Sequence, residues 1–322
     1  MTRPASFILA PEGPFSLARA ADVVLRFPPL AHQPRARGGL RLGFVLDGDH
    51  RSVAVSLREV DGAVHGTVAG TGRIDVAARQ VARILSLDHD ATDYPRVAEQ
   101  DPRLAPVMAA LSGLRPVCFT SPYEAACWAV ISQRITTAHA ARITGELVRA
   151  HGEVVLSEGA PVQVFPRPDR LLDVRTVPGL AAVKLERLHG IATATLEGAL
   201  DADRLRALGD EDAPAALRAL AGIGPFWASG IYLRACGVVD VFPDEPRAIA
   251  ALGELHGLGP TPSARAVAAL TDRHRPFRMW VCFLLRVAAA RGLIGPGPRP
   301  ARRSTGAVAL ARGRAARHDS SP

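Results

Sequence analysis

The 322 residues carry 48% hydrophobic side chains, 22% charged ones and a formal charge of +8, a stock of apolar residues that provides for a well-filled core and room for two domains. No apolar run approaches the roughly 20 residues that a bilayer span needs, and the first residues lack the basic start and cleavage site of a secretory leader. The expectation is a cytoplasmic, globular protein with no membrane partner.

Residues 15–70 have strand-like character. Asp22 to Phe27, Leu40 to Leu46, Ser52 to Val60 and Ala63 to Val68 are rich in alternating and β-branched residues, and Gly38-Gly39, Asp47-Gly48 and Asp61-Gly62 punctuate them as turns. An antiparallel sheet is predicted. From Ile74 to Leu87 the period becomes helical, with Val76, Ala77, Val81, Ile84 and Leu85 on one face able to cover that sheet. Residues 1–90 are therefore predicted to be a sheet-plus-helix domain, and 91–104, with Tyr94-Pro95 and Asp101-Pro102, a connector.

From residue 105 to 295 the pattern is helical throughout. Thr120 or Ser121 is placed to cap a helix that opens at Pro122, with Ala126, Cys127, Val130 and Ile131 inward, and a second helix runs from Thr137 to His151. Phe165-Pro166-Arg167-Pro168 reads as extended, Arg170 to Arg175 as a short helix, and Leu180 to Gly198 as a longer one that Gly190 interrupts. Further helices are predicted over Pro246 to Gly257, Ser263 to Leu270 and the strongly apolar Phe277 to Gly292. Residues 296–322 show no periodicity and read as a disordered basic tail; its six arginines against one aspartate hold five of the eight net charges.

The stretch Leu217 to Arg247 organises the rest. Gly222-Ile223-Gly224 supplies two residues free to take positive φ between a helix that Leu217 and Leu220 close and one that Pro225 opens. Such a hairpin leaves the N–H groups of Gly222 to Phe226 unpaired at a helix N-terminus, a seat for phosphate. An acid pair, Asp244 and Glu245, follows at the start of the next helix. Taken alone the hairpin is also compatible with a plain helical corner, and the acid pair with simple capping of the Pro246 helix.

Cys118, Cys127, Cys236 and Cys282 are widely spaced without a C-x-x-C pattern, so they read as buried small hydrophobes and neither zinc nor an iron–sulfur cluster is expected. His139, His189 and His274 have no ligand-like spacing.

In order along the chain, AVISQRITTAHAARITGEL, FPRPDRLL, VPGLAAVKLERL, LAGIGPFWASGIYLRA and RHRPFRMWVCFLLR resemble the successive motifs of the helix-hairpin-helix (HhH-GPD) DNA glycosylase superfamily, and among its members the 3-methyladenine DNA glycosylase II type most of all. The resemblance covers nearly the whole chain. It implies an α+β protein: an N-terminal antiparallel sheet with a helix, of the TATA-binding-protein-like kind, followed by an all-helical two-lobed domain whose cleft takes double-stranded DNA. It also implies a monomeric, monofunctional base-excision enzyme that flips out an alkylated or otherwise damaged base and hydrolyses its N-glycosidic bond, with no obligate protein partner and no required cofactor.

The resemblance also assigns residues. Asp244 has the family's side chain at the distance from the hairpin typical of several members, whereas Glu245 has the better helical phase, with Ala248, Ala251, Leu252 and Leu255 three, six, seven and ten residues on. Glu245 is favoured, although it is one methylene longer than the family's aspartate. The pocket aromatics of the alkyl-purine enzymes map to Phe226, Gly230 and Arg286, keeping one ring, with Trp227, Tyr232 and Trp280 nearby as replacements or as core. DNA contacts fall on Gln133, Arg134, Gly222, Ile223, Gly224 and Phe226, with Arg134 as the wedge that fills the gap left by the flipped base or as a solvated helix-end arginine. Main-chain carbonyls of Arg218, Leu220 and Ile223 are the implied ligands of a monovalent cation. Phe226 stands where lyase members carry a lysine, which implies hydrolysis alone. The loss of two aromatics and the change of acid leave open a second outcome, a catalytically weak or inactive binder of damaged DNA; a scaffold using the hairpin for protein contacts is a third.

Overall fold

The computed structural model describes residues 5–34, 36 and 38–294; the predicted basic tail lies outside the described residues. Four antiparallel strands open the fold, β1 (Ala5–Leu9), β2 (Leu40–Val45), β3 (Ser52–Val60) and β4 (Ala63–Gly70), in the spatial order β1-β4-β3-β2. Helices α1 (Leu17–Arg26) and α2 (Ile74–Ile84) contribute Leu17, Ala20, Val24, Ala77, Val81 and Ile84 to a core with Leu42, Phe44, Val53, Val55 and Leu57 of the sheet.

The strand predicted over Asp22 to Phe27 is instead the second half of α1. Ser16 caps that helix, its hydroxyl accepting from Arg19 N, and the 17-20-24 spacing buries one helical face; this outweighs the β-branched Val23-Val24 pair.

The remaining elements are α3 (Val97–Gln100), α4 (Ala105–Ala110), α5 (Pro122–Ile131), α6 (Thr137–His151), β5 (Glu153–Ser157), β6 (Ala160–Val164), α7 (Pro168–Leu172), α8 (Ala182–Leu196), α9 (Ala202–Arg218), α10 (Pro225–Ala235), α11 (Pro246–Leu255), α12 (Ala264–Asp272) and α13 (Arg278–Ala290). Every residue of α5 is buried, and α6, α8 and α10 pack against it, so it is the axis of the second core. Gly190 does not interrupt α8, whereas Gly209, at φ 82°, breaks α9. Among the described residues no helix is long and apolar enough to cross a membrane.

The region after residue 105 is not all-helical. The β5–β6 hairpin lies across the sheet at Gly43, where a Cβ would stand only 2.7 Å from Val162 Cγ1, and Ser157 Oγ meets Ser56 Oγ at 2.8 Å. Buried Val162 and Val164 make the contact apolar, so the two cores are joined through a strand pair.

A second join lies at the start of α5. Ser121 caps it, Gln80 of α2 donates to Val45 O at 3.0 Å and Thr120 O at 2.9 Å, and Arg83 pairs with Asp47 at 2.6 Å while donating to Thr120 O. Glu124 is buried here with only a long bond from Val45 N, and desolvation pushes its carboxyl up to about 7, with nearby Asp47 adding to the rise. A carboxyl raised on folding stabilises the protein fully below its unfolded pKa near 4.5, and that contribution is lost as pH climbs through 7. Glu124→Gln keeps the shape without the charge. Its melting temperature should match wild type near pH 4.5 and exceed it increasingly up to pH 8, where the gain approaches about 3 kcal/mol. Thermal denaturation of both proteins across that range checks this.

Candidate functional site

Helices α9 and α10 meet at a tight turn. Leu220 N–H donates to Leu217 O and Ile223 N–H to Leu220 O, Gly222 takes φ 91°, and Gly224 is the N-cap of α10. A side chain is excluded at Gly222, because its Cβ would lie 2.9 Å from Arg187 Cδ in a left-handed conformation. Pro225 has no N–H, and the N–H groups of Gly224, Phe226 and Trp227 have no acceptor among the described residues. Three free donors at the positive end of a helix form an anion seat.

Beyond α10 the chain returns through residues 237–244. Asp240 anchors this loop, accepting from Arg278 Nε and Arg275 Nη1, each at 2.7 Å, while Met279 N–H donates to Val239 O. The loop is thereby pinned to the start of α13, and it delivers the acid pair to the first turn of α11. Asp244 is exposed and has no partner among the described residues. Glu245 is the N-cap of α11: Oε2 accepts from Ala248 N at 2.7 Å, while Oε1 lies 3.5 Å from Arg286 Nε of α13. The cap uses one oxygen. The other is left beside a partly exposed guanidinium, at a side chain that keeps 15% of its surface open.

The chain matches no family model. It is 27% identical over 205 residues to the DNA-3-methyladenine glycosylase of Bacillus subtilis, covering 62% of this chain and 67% of that one. A Mycobacterium tuberculosis protein, "Probable bifunctional transcriptional activator/DNA repair enzyme AlkA", is 31% identical over 212 residues, but the chain spans only 41% of its length. The solved 3-methyladenine DNA-glycosylase of Archaeoglobus fulgidus superposes with a TM-score of 0.71 over 88% of this chain and 98% of its own, at 23% identity. The chain is similar in sequence to DNA-3-methyladenine glycosylases and shares its fold with a solved one.

Within this glycosylase fold the other sequence-derived positions separate clearly. Trp280 is not at the open face: it is 2% exposed and packs edge-on against Tyr94, with Phe277, His89 and the Arg115 guanidinium around it. It is core, because the apolar face of α13 turns toward the connector. Tyr232 is also buried, its hydroxyl donating to Asp210 at 2.9 Å. Phe226 is 60% exposed at the hairpin with Trp227 edge-on at 5.6 Å, and Gly230 leaves open space one turn on, with Trp227 Cε3 at 3.8 Å as the nearest contact of a Cβ.

Arg134 follows α5 with φ 57° and is exposed, while Gln133 turns inward and donates through Nε2 to Gly222 O at 2.5 Å. Sequence reasoning missed two residues here, Arg234 and Lys184. Arg234 is buried between Phe27 and Phe283 and donates to Val117 O at 2.5 Å; desolvation pulls its pKa down to about 10, which still leaves it charged. Its place in the last turn of α10, one residue before the helix ends, was the available signal. All four cysteines are buried thiols, and among the described residues no group of three or more histidine, cysteine or acidic side chains is gathered for a metal.

Proposed function

We propose that the protein is a monofunctional DNA glycosylase that removes alkylated or otherwise damaged bases from double-stranded DNA as a monomer. The observation that carries this is the α9–α10 anion seat followed by a carboxylate, Glu245, held on the next helix with one oxygen on the cap and the other beside the Arg286 guanidinium. In this scheme the hairpin N–H groups take a backbone phosphate, the damaged nucleotide turns out of the stack, and Glu245 faces its sugar. As the C1′–N bond breaks, its electron pair leaves with the base and positive charge builds on the sugar, which the carboxylate stabilises. Water adds to C1′ and gives up a proton, for which the Glu245 oxygen not used by the helix cap is the acceptor, leaving an abasic site. Asp244, exposed and without a partner, is outside this scheme.

Hydrolysis without strand cleavage is supported by the amines available. A Schiff-base lyase needs a free side-chain amine, and the only lysine in the chain, Lys184, has its ammonium on two backbone carbonyls at 2.7 and 2.8 Å. The hairpin also suits a monovalent cation: the Arg218 and Ile223 carbonyls accept no hydrogen bond among the described residues, and Leu220 O accepts one. Such an ion would add positive charge beside the phosphate seat.

The test is release of free base from methylated duplex DNA, with alkali used to reveal abasic sites. Base release with no strand cleavage before alkali is expected. Duplex binding without release would instead support the non-catalytic binder, which the glutamate and the guanidinium of Arg286 in place of the aspartate and aromatic ring expected from the resemblance favour.

A further inference from the structure

We propose that Lys184 is a positioning residue for base flipping: its ammonium fixes the turn that presents Arg134 and, through Gln133, holds that turn in register with the phosphate-binding hairpin. The proposal rests on the function above and on Arg134 as the side chain that enters the duplex.

Lys184 is the single lysine among the chain's 39 lysine and arginine residues. Lys184 lies in the first turn of α8, and its Nζ donates to Ile131 O at 2.8 Å and Gln133 O at 2.7 Å. These are carbonyls at the end of α5, which have no partner within the helix and where positive charge is favoured. Two acceptors two residues apart converge on a single point. A compact ammonium with three rotatable donors serves both, whereas a planar guanidinium fork needs more room and a fixed geometry.

The residue that follows these carbonyls is Arg134, held at φ 57°. A non-glycine residue there is strained by about 1–2 kcal/mol, so its neighbours must impose the conformation. Gln133 supplies the other half of the constraint. Its Nε2 donates to Gly222 O at 2.5 Å, and its Oε1 accepts from Arg187 Nη1 at 3.3 Å. Arg187 is three residues after Lys184, on the same face of α8, and its side chain fills the space that a Cβ on Gly222 would need. One face of α8 therefore ties the wedge turn and the hairpin into a single network. Arg134 itself stays exposed and pre-set, so that little ordering is left to do when DNA arrives.

The test compares wild type, Lys184→Met, Lys184→Arg, Arg134→Ala and the Lys184→Met/Arg134→Ala double variant. It measures single-turnover base release, fluorescence of 2-aminopurine stacked beside the lesion, affinity for undamaged duplex, and melting temperature. Lys184→Met should lower release and the flipping signal about tenfold, as Arg134→Ala does, with undamaged-duplex affinity within about twofold of wild type. Lys184→Arg should not rescue. Lys184→Met should add nothing in the Arg134→Ala background, because both remove the same step. Full additivity, or a wild-type flipping signal in Lys184→Met, overturns the proposal. Gln133→Met cuts the hairpin link but leaves Lys184 on both backbone carbonyls, Ile131 O and Gln133 O, and a wild-type flipping signal in that variant overturns the proposal whether or not Lys184→Met folds. If Arg134→Ala releases base normally, the assignment of Arg134 falls, and the role of Lys184 with it, while base release by wild type would still stand.

Discussion

Glu245→Gln is expected to reduce single-turnover base release by about a thousandfold, while Asp244→Asn stays within about twofold of wild type. The difference follows from where the structure puts the two carboxylates. Asp244 is exposed and neither caps nor pairs with anything described, so removing its charge changes a solvated surface. Glu245 has one oxygen on Ala248 N and the other near Arg286 Nε. Glutamine retains the capping acceptor, and α11 should keep its start; alanine would lose the cap as well, at about 1 kcal/mol, and would confuse stability with chemistry. In the proposed scheme, what glutamine removes is the negative charge opposite a sugar that becomes cationic.

Removing that charge also leaves two cations without their counterion, since Arg286 and the buried Arg234 both feel Glu245. Arg286 is 40% exposed and water will screen it, and Arg234 keeps its bond to Val117 O, so a modest fall in melting temperature is expected rather than unfolding. Duplex affinity should hold or rise, because the local charge becomes more positive. Base release by Glu245→Gln at the wild-type rate would remove Glu245 from the chemistry. The same outcome with Asp244→Asn inactive would transfer the role to Asp244.

How far the site could be read in advance depended on the range of the forces that build it. The hairpin was legible because two glycines, a proline and flanking apolar periods act within a few residues. The same holds for α5, where Ser121 and Pro122 mark the start and the inward run is unbroken. The choice between Asp244 and Glu245 was not decided locally, since both side chains suit a helix start; Arg278, Arg275 and Met279 fix the preceding loop from some 35 to 40 residues away. Trp280 was ambiguous for a related reason. Sequence shows that α13 is apolar nearly all round, and only packing against Tyr94 and Phe277 shows which side faces the connector.

Two misses had signals that were present. Val154-Val155-Leu156 is a short, largely β-branched apolar run, Glu158-Gly159 is a turn pair, and Val162 and Val164 alternate about Gln163, a hairpin pattern inside a helical region. In α1 the spacing of Leu17, Ala20 and Val24 after a capping serine competed with β-branched propensity and prevailed once those side chains had a sheet to cover. The lone lysine could be counted from the sequence. Its role could not be read there, because it bonds to carbonyls more than 50 positions away.

Gly224→Asp should weaken duplex binding by about 30- to 100-fold with no loss of stability, a combination that isolates the anion seat. Stability is protected because Gly224 is already the N-cap of α10, in an extended conformation that any residue adopts, and a Cβ there meets nothing within 4 Å. Aspartate is among the better N-caps, so its carboxylate accepts from the same N–H groups that otherwise await a phosphate and adds about a few tenths of a kcal/mol over glycine. Gly222 would be a poor site for this experiment, since its positive φ and the nearby Arg187 side chain would distort the hairpin.

The introduced carboxylate acts on DNA in two ways, occupying the donors and repelling the phosphate. Gly224→Asn separates them, because it caps through a neutral oxygen of the same shape. It should cost about tenfold, the worth of the lost charge-assisted hydrogen bonds. With one phosphate contact removed, the slope of log affinity against log salt should fall by about 0.9 in both variants. Base release at saturating enzyme should recover most of its rate, since Glu245 is untouched. If Gly224→Asp binds duplex as tightly as wild type with an unchanged salt slope, the hairpin contacts no phosphate, and the Gly222–Gly224 turn is only a corner between two helices.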